Sequence, residues 1–145
     1  MKMSTKGRYG LAAVVDIAQN CLEGQCVSLK SVAQRQNISE SYLEQLICPL
    51  KKAGIVKSTR GAQGGYVLAK AAEDITVGEV IRALEGPLDI VECSANKESC
   101  GAGSCKNCVT KNVWEKLSES VNEAADSITL AMLLYPEHIN KESEM

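Results

Sequence analysis

Cysteines carry the clearest chemistry in this sequence. Cys93, Cys100, Cys105 and Cys108 fall within 16 residues, whereas the other three of the seven, Cys21, Cys26 and Cys48, are scattered through the first 48 of 145 residues. Six residues separate Cys93 from Cys100 and seven separate Cys100 from Cys108, while Cys105 precedes Cys108 by three. Thiolates in a loop that opens a helix are ligands for a soft metal or an iron–sulfur cluster. Four of them would also satisfy tetrahedral zinc. Cys105 and Cys108 alone have the spacing of a redox pair, but no strand precedes them as that motif requires. Spacing therefore leaves cluster, zinc and thiol switch open. An odd count in a chain read as cytosolic argues against a disulfide framework, and Cys21, Cys26 and Cys48 read as small core residues.

A second group of residues suits a polyanion. Residues 1–70 hold 10 Lys and Arg against 4 Asp and Glu, whereas residues 71–145 hold 6 against 14, so a net charge of −2 conceals a basic half and an acidic half. Such asymmetry points to nucleic acid as a partner of the basic half. Within it, Glu40, Ser41, Glu44, Gln45, Lys51 and Lys52 share the outward side of one helical pattern. The lysines suit phosphate contact, and Ser41 and Gln45 have the reach and polarity for base edges. A carboxylate at Glu44 is repelled by DNA unless it accepts a hydrogen bond, for example from cytosine N4. The simpler alternative is that Glu44 pairs with a neighbouring lysine. Further along, Arg60 is followed by Gly61, Gly64 and Gly65, a cation suited to a narrow groove on a backbone that can approach phosphates closely.

The elements that must hold these residues follow from periodicity. Leu11, Val14, Val15, Ala18, Cys21 and Leu22 recur at helical steps, with Ser4 or Thr5 as N-cap. Ser28 caps a short second helix with Leu29, Val32 and Ala33 inward. Asn37-Ile38-Ser39 turns the chain, and Ser39 caps a third helix carrying Tyr42, Leu43, Leu46, Ile47 and Leu50, which ends at Ala53-Gly54. The period then changes. Residues 55–58 and 66–68 read as two short strands around a glycine-rich tip, a β-hairpin. Thr76 and Glu79 form a capping box opening a helix with Val77, Val80, Ile81 and Leu84 inward, which Gly86-Pro87 ends. Residues 92–108 show no apolar period. From Val109, the residues Val113, Leu117, Val121, Ala124, Ala125, Ile128 and Met132 predict one long helix, too long for so small a core to cover, so a second copy of the chain is expected against it.

Three helices and a hairpin in this order predict a mainly α fold with a small β-hairpin wing, a winged helix-turn-helix plus a long C-terminal dimerisation helix. The expected boundaries are 1–85 for the DNA-binding domain, 86–108 for the cysteine-bearing loop, 109–135 for the dimerisation helix and 136–145 for a polar tail. Ser39 and Tyr42, at the start of the third helix, join Ser41, Glu44, Gln45, Lys51, Arg60, Gly61, Gly64 and Gly65 as the expected DNA-binding set. With no Phe and one Trp, the core must be aliphatic. No nucleophile elbow or Walker loop is present, and the single histidine, His138, sits in the polar tail. A DNA-binding regulator rather than an enzyme is expected. No apolar run approaches a membrane span, and no signal-peptide core opens the chain. A cytoplasmic protein without a membrane partner is the expectation.

The motifs Ser4-Thr5-Lys6-Gly7-Arg8-Tyr9, Ser41-Tyr42-Leu43-Glu44-Gln45-Leu46, Arg60-Gly61-Ala62-Gln63-Gly64-Gly65-Tyr66 and Val77-Gly78-Glu79-Val80-Ile81 resemble the dimeric winged-helix regulators that include IscR, CymR and NsrR. With the cysteine loop running into Val109-Thr110-Lys111-Asn112-Val113-Trp114, the resemblance is strongest to the IscR-like iron–sulfur regulators of cluster biogenesis. It implies that Cys93, Cys100 and Cys108 hold a 2Fe–2S cluster, with Cys105 a further candidate. It also implies that Ser41, Glu44, Gln45 and Arg60 read a palindromic operator in double-stranded DNA, mostly to repress. Lys111 stands where proteobacterial relatives carry a histidine ligand, and Arg8 where NsrR-like relatives offer a carboxylate, so the fourth ligand is open. CymR, a repressor of cysteine metabolism acting with a cysteine synthase, is the rival, favoured by Leu46-Ile47-Cys48-Pro49-Leu50 and Leu84-Glu85-Gly86-Pro87. A cysteine synthase or a cluster-assembly protein is the expected protein partner.

Overall fold

The computed structural model describes residues 2–21, 25–61, 64–90 and 109–135. Helix α1 (Thr5–Asn20) begins earlier than its apolar period, because Ser4 caps it by accepting from the Gly7 N–H. Glu85 strengthens that end from across the fold: its Oε1 accepts from the Ser4 N–H at 2.9 Å, the Gly7 N–H at 3.2 Å and the Ser4 hydroxyl. A carboxylate among the free amides of a helix N-terminus is favourable both as acceptor and against the helix dipole.

Helices α2 (Leu29–Gln36) and α3 (Glu40–Lys52) are capped as expected by Ser28 and Ser39, which accept from the Ser31 and Tyr42 N–H groups. The turn between them rests on Asn37, whose φ of 56° places it in the left-handed region that Asn tolerates. Gly54, with φ 74°, terminates α3. Strands β1 (Val56–Thr59) and β2 (Gly65–Leu68) pair antiparallel, with Val56 opposite Leu68 and Thr59 opposite Gly65. Val27 adds a bridge to Tyr66 on the far side of β2, which the hairpin pattern alone does not predict.

The core is aliphatic, as the composition requires. Ala13, Val14 and Ile17 of α1 meet Val32 and Ala33 of α2, Leu43, Leu46, Ile47 and Leu50 of α3, and Val80 and Leu84 of α4 (Val77–Glu85). Helices α1 and α4 come close because Gly10 has no side chain: a Cβ there would lie 2.2 Å from Leu84 Cδ1. One buried carboxylate ties α1 to α2. Asp16, 4% exposed, accepts from Arg35 Nη2 at 2.6 Å, from Arg35 Nε at 3.0 Å and from Gln36 Nε2 at 3.0 Å. That hydrogen bonding holds the Arg35 guanidinium above its ordinary pKa, against the opposing effect of burial.

The single helix expected over 109–135 is two helices. Helix α5 (Lys111–Ser127) ends where Ile128 turns extended, and α6 (Leu130–Leu134) begins after Thr129, whose side chain accepts from the Met132 N–H. The break has a tertiary cause. Thr129 pairs with Thr76, with Val77 donating to the Ile128 carbonyl at 2.8 Å and Leu130 to the Ile75 carbonyl at 2.9 Å. These bonds replace helical ones and drop Leu130, fully buried, into the main core. Val109 and Thr110 form a turn before α5. The capping box at Thr76 is half formed: Thr76 accepts from the Glu79 N–H at 3.1 Å, but the Glu79 carboxylate turns outward to Lys70 at 3.1 Å.

Candidate nucleic-acid interface

Burial sorts the residues of α3 into two faces. Leu43, Leu46, Ile47 and Leu50 are buried, and Glu40, Ser41, Glu44, Gln45, Cys48, Lys51 and Lys52 are exposed. The outward row is the one the period predicts, with one addition. Cys48 lies on it, four residues after Glu44 and three before Lys51, so the reading of Cys48 as a core residue is corrected. An apolar period extended by one small residue gave no sign of this, because Ile47 already fills the inward position. Cys21 and Cys26 are part-buried. Lys51 and Lys52 also occupy the last turn of α3, where cations complement the helix dipole.

Two residues of the expected set do structural work. The Ser39 hydroxyl is the N-cap of α3, accepting from the Tyr42 N–H at 3.1 Å. The Tyr42 ring is part-buried against the core and meets Tyr9 edge to face, with centroids 6.1 Å apart and planes at 85°. Sequence reasoning did not pair these rings. Tyr9 belongs to α1, 38% exposed, so the contact fixes the start of α3 against the start of α1, where Lys6 and Arg8 are exposed.

The wing is also organised from within. Arg60 is exposed at the end of β1, and Gly61 follows with φ 122° and open space where a side chain would be. Gly64 and Gly65 are part-buried, and each is required by the protein's own backbone: a Cβ on either would lie 2.6 Å from a carbonyl oxygen, that of Thr59 or of Val27. Cys26 Sγ sits 2.5 Å from Thr59 Oγ1 at the base of this wing. Residues 62 and 63 lie outside the described residues, as do all four of Cys93, Cys100, Cys105 and Cys108 and the tail carrying His138.

An exposed polar and cationic row on the second helix of a helix-turn-helix, followed by a hairpin with an exposed Arg directly after its first strand, is the arrangement of a DNA reader. The Rrf2 family, described as an iron-dependent transcriptional regulator, matches residues 3–136. The chain belongs to this family. It is 47% identical over 130 residues to the HTH-type transcriptional regulator CymR of Bacillus subtilis, covering 90% of this chain and 87% of that one. It is 43% identical over 139 residues to the regulator IscR of Erwinia tasmaniensis, covering 96% and 82%. The solved structure of T. potens IscR matches 100% of this chain and 92% of its own at 48% identity, with a TM-score of 0.74. As a member of the Rrf2 family this chain is a DNA-binding transcriptional regulator with a winged-helix fold. Among the described residues, no helix is long and apolar enough to cross a membrane.

Proposed function

We propose that this Rrf2 regulator acts as a homodimer that senses iron–sulfur status through a 2Fe–2S cluster on Cys93, Cys100 and Cys108, and that it represses genes of cluster biogenesis. The observation that carries this reading is the donor set: four thiols within 16 residues, in a family described as iron-dependent. Thiolates are the ligands such clusters take. When bound, the cluster would cross-link its cysteines and add a one-electron redox couple. Lys111, where relatives carry histidine, has its ammonium 3.7 Å from Glu115 Oε1. Lys111, held in that ion pair, does not replace the histidine, and Cys105, a residue from elsewhere or a solvent molecule would be the fourth ligand.

The proposed dimer is supported by α5 and the turn before it. Val109, Val113 and Leu117 recur at four-residue steps and are 93%, 52% and 43% exposed, an apolar stripe that a second copy would cover. The outward row of α3 would then read each half-site through Ser41, Glu44 and Gln45. Lys51 and Arg60 would contact phosphates and a narrow groove. Two half-sites would lie about one duplex turn apart, roughly 34–36 Å.

The identity to CymR, a protein described as the global cysteine regulator of B. subtilis, favours a second reading: a cluster-free repressor of cysteine metabolism working with a cysteine synthase. Anaerobic purification with iron and sulfide analysis separates the two. Two iron and two sulfide per chain, with visible absorbance lost in Cys100→Ala, supports the cluster. A colourless DNA-binding dimer that resists reconstitution supports the second reading, with zinc the next metal to assay.

A further inference from the structure

A row of polar contacts outside the reading face joins three parts of the chain. On α4, Arg82 donates from Nε and Nη2 to Asn122 Oδ1 of α5 at 3.2 and 3.0 Å, and from Nη2 to both carboxylate oxygens of Asp126 at 2.8 and 2.7 Å. The other end of the same amide, Asn122 Nδ2, donates to the Leu88 carbonyl at 3.0 Å and to the Ser118 carbonyl at 2.7 Å. Ile90 donates its N–H to Ser118 Oγ at 3.1 Å. Gly78 leaves the room this needs, since a Cβ there would lie 2.1 Å from Asp126 Oδ1.

From α5, Asn122 hydrogen-bonds to both of the other parts, to Arg82 of α4 and to the Leu88 carbonyl. Its amide orientation is fixed by chemistry, because a guanidinium only donates and a backbone carbonyl only accepts. Neither Asp nor Leu could meet both. Leu88 and Ile90 are the described residues that lead into the cysteine-bearing segment, and Leu88 is buried with Val77 and Ile81 of α4. From α4 the route continues through packed side chains. Val80 and Leu84 share a core with Leu46 and Leu50, the inward face of the reading helix. Glu85 caps α1, whose Tyr9 braces Tyr42.

We propose that Asn122 is a positioning residue that couples the chain entering the cysteine-bearing segment to the DNA-reading helix. Coupling of this kind is reciprocal: if the state of that segment biases α3, DNA held by α3 must alter the segment. The inference rests on the reading of residues 91–108 as the sensing segment, but its test uses reduced, metal-free protein and does not depend on which metal the thiols hold. Iron and sulfide analysis decides that reading separately.

The test is the iodoacetamide alkylation rate at Cys93, Cys100, Cys105 and Cys108, resolved by peptide mass. Rates are compared without and with a saturating duplex that the wild-type chain has selected from a random-sequence pool. Expected is a change of roughly fivefold or more on DNA binding in the wild type and none in Asn122→Ala, with both proteins saturated on the duplex. Should Asn122→Ala fail to fold, Asn122→Asp takes its place, since it keeps an acceptor for Arg82 and removes the Nδ2 donor to the Leu88 and Ser118 carbonyls. Asp126→Asn, which weakens the ion pair and leaves the Asn122 amide intact, should keep the DNA effect. A wild-type rate indifferent to DNA, an undiminished effect in the Asn122 variants, or equal loss in Asp126→Asn would overturn the proposal.

Discussion

The first and the fifth helices of this chain have similar lengths and opposite surroundings. Of the 16 residues of α1, seven are buried, and they face α2, α3 and α4. Of the 17 residues of α5, only Ser118 is buried, while Val113 and Leu117 stand open. The winged-helix body therefore satisfies its apolar surface within one chain. Helix α5 meets that body through Val121 and Ala125 against Val77, Ile81 and Leu88, and through Asn122 and Asp126, which accept from Arg82. Helical stability in proteins comes mainly from packing of an apolar face rather than from propensity, so α5 is the element that the proposed second copy would stabilise most. The proposed sensing would use that division, with a well-packed reader and an attached helix that a second copy would cover.

The largest effect should come from charging the open stripe. Leu117→Glu introduces a carboxylate where the proposed partner helix packs, and the body loses nothing it buries. Sedimentation should then show a monomer, and affinity for a palindromic duplex should fall roughly a hundredfold or more as the linkage between half-sites is lost. The thermal transition of the body should stay close to that of wild type. A Leu117→Glu protein that remains dimeric would remove α5 from the interface and with it the contrast drawn between the two helices.

Within the body, the next effect concerns the Asp16–Arg35 pair, whose two ends are unlike. Asp16 is 4% exposed, whereas the Arg35 side chain is 40% exposed. Arg35→Ala leaves a buried carboxylate with its charge uncompensated, which costs about 3–5 kcal/mol. Asp16→Ala leaves a guanidinium that water can solvate, so the cost should be nearer the loss of its hydrogen bonds, about 1–3 kcal/mol. Denaturant unfolding of both variants measures the order. If Asp16→Ala is the more damaging, the carboxylate contributes through packing, and the body is less dependent on this polar tie than its geometry indicates.

How far the sequence foretold this arrangement depends on whether the deciding contact was local. Ser4, Ser28, Ser39 and Thr76 all cap the helices they precede, because an N-cap acts on amides two or three residues away. The two faces of α3 and the hairpin were legible for the same reason. The break at Ile128 and Thr129 was not: a helical period runs through it, and what interrupts the helix is a bridge to Thr76, 53 positions earlier in the chain. Glu85 reaching back to Ser4 and Gly7, Asp16 holding Arg35, and Asn122 joining Arg82 to Leu88 are likewise long-range, and no spacing rule announces them. Of the candidate site, the outward row of α3 and Arg60 were readable from pattern. Cys48 on that row was missed, and so was the backbone crowding that requires Gly64 and Gly65. The family motifs were informative because they contain these distant demands: Gly7 in Ser4-Thr5-Lys6-Gly7 and Gly78 in Val77-Gly78-Glu79 each lie where a Cβ would strike a carboxylate oxygen, of Glu85 and of Asp126.

The smallest expected effect tests how the two kinds of residue on the α3 row divide their work. Lys51 is exposed in the last turn, and in the proposed complex it would contact phosphate without reading sequence. Lys51→Ala should weaken binding to all duplexes alike and lower the slope of log affinity against log salt by about 1. Glu44 is exposed five residues after the N-cap Ser39, and its carboxylate is unfavourable near phosphates unless a base donates to it. Glu44→Ala should therefore leave the salt slope near that of wild type, or steepen it slightly, while allowing duplexes that the wild-type chain rejects, each gaining about 1–3 kcal/mol for the base pair concerned. Competition binding on a panel of single-base variants at two salt concentrations separates these outcomes. Uniform weakening by Glu44→Ala, with the order of preferred sequences unchanged, would assign Glu44 to the support of a neighbouring lysine and leave Ser41 and Gln45 as the residues that read bases.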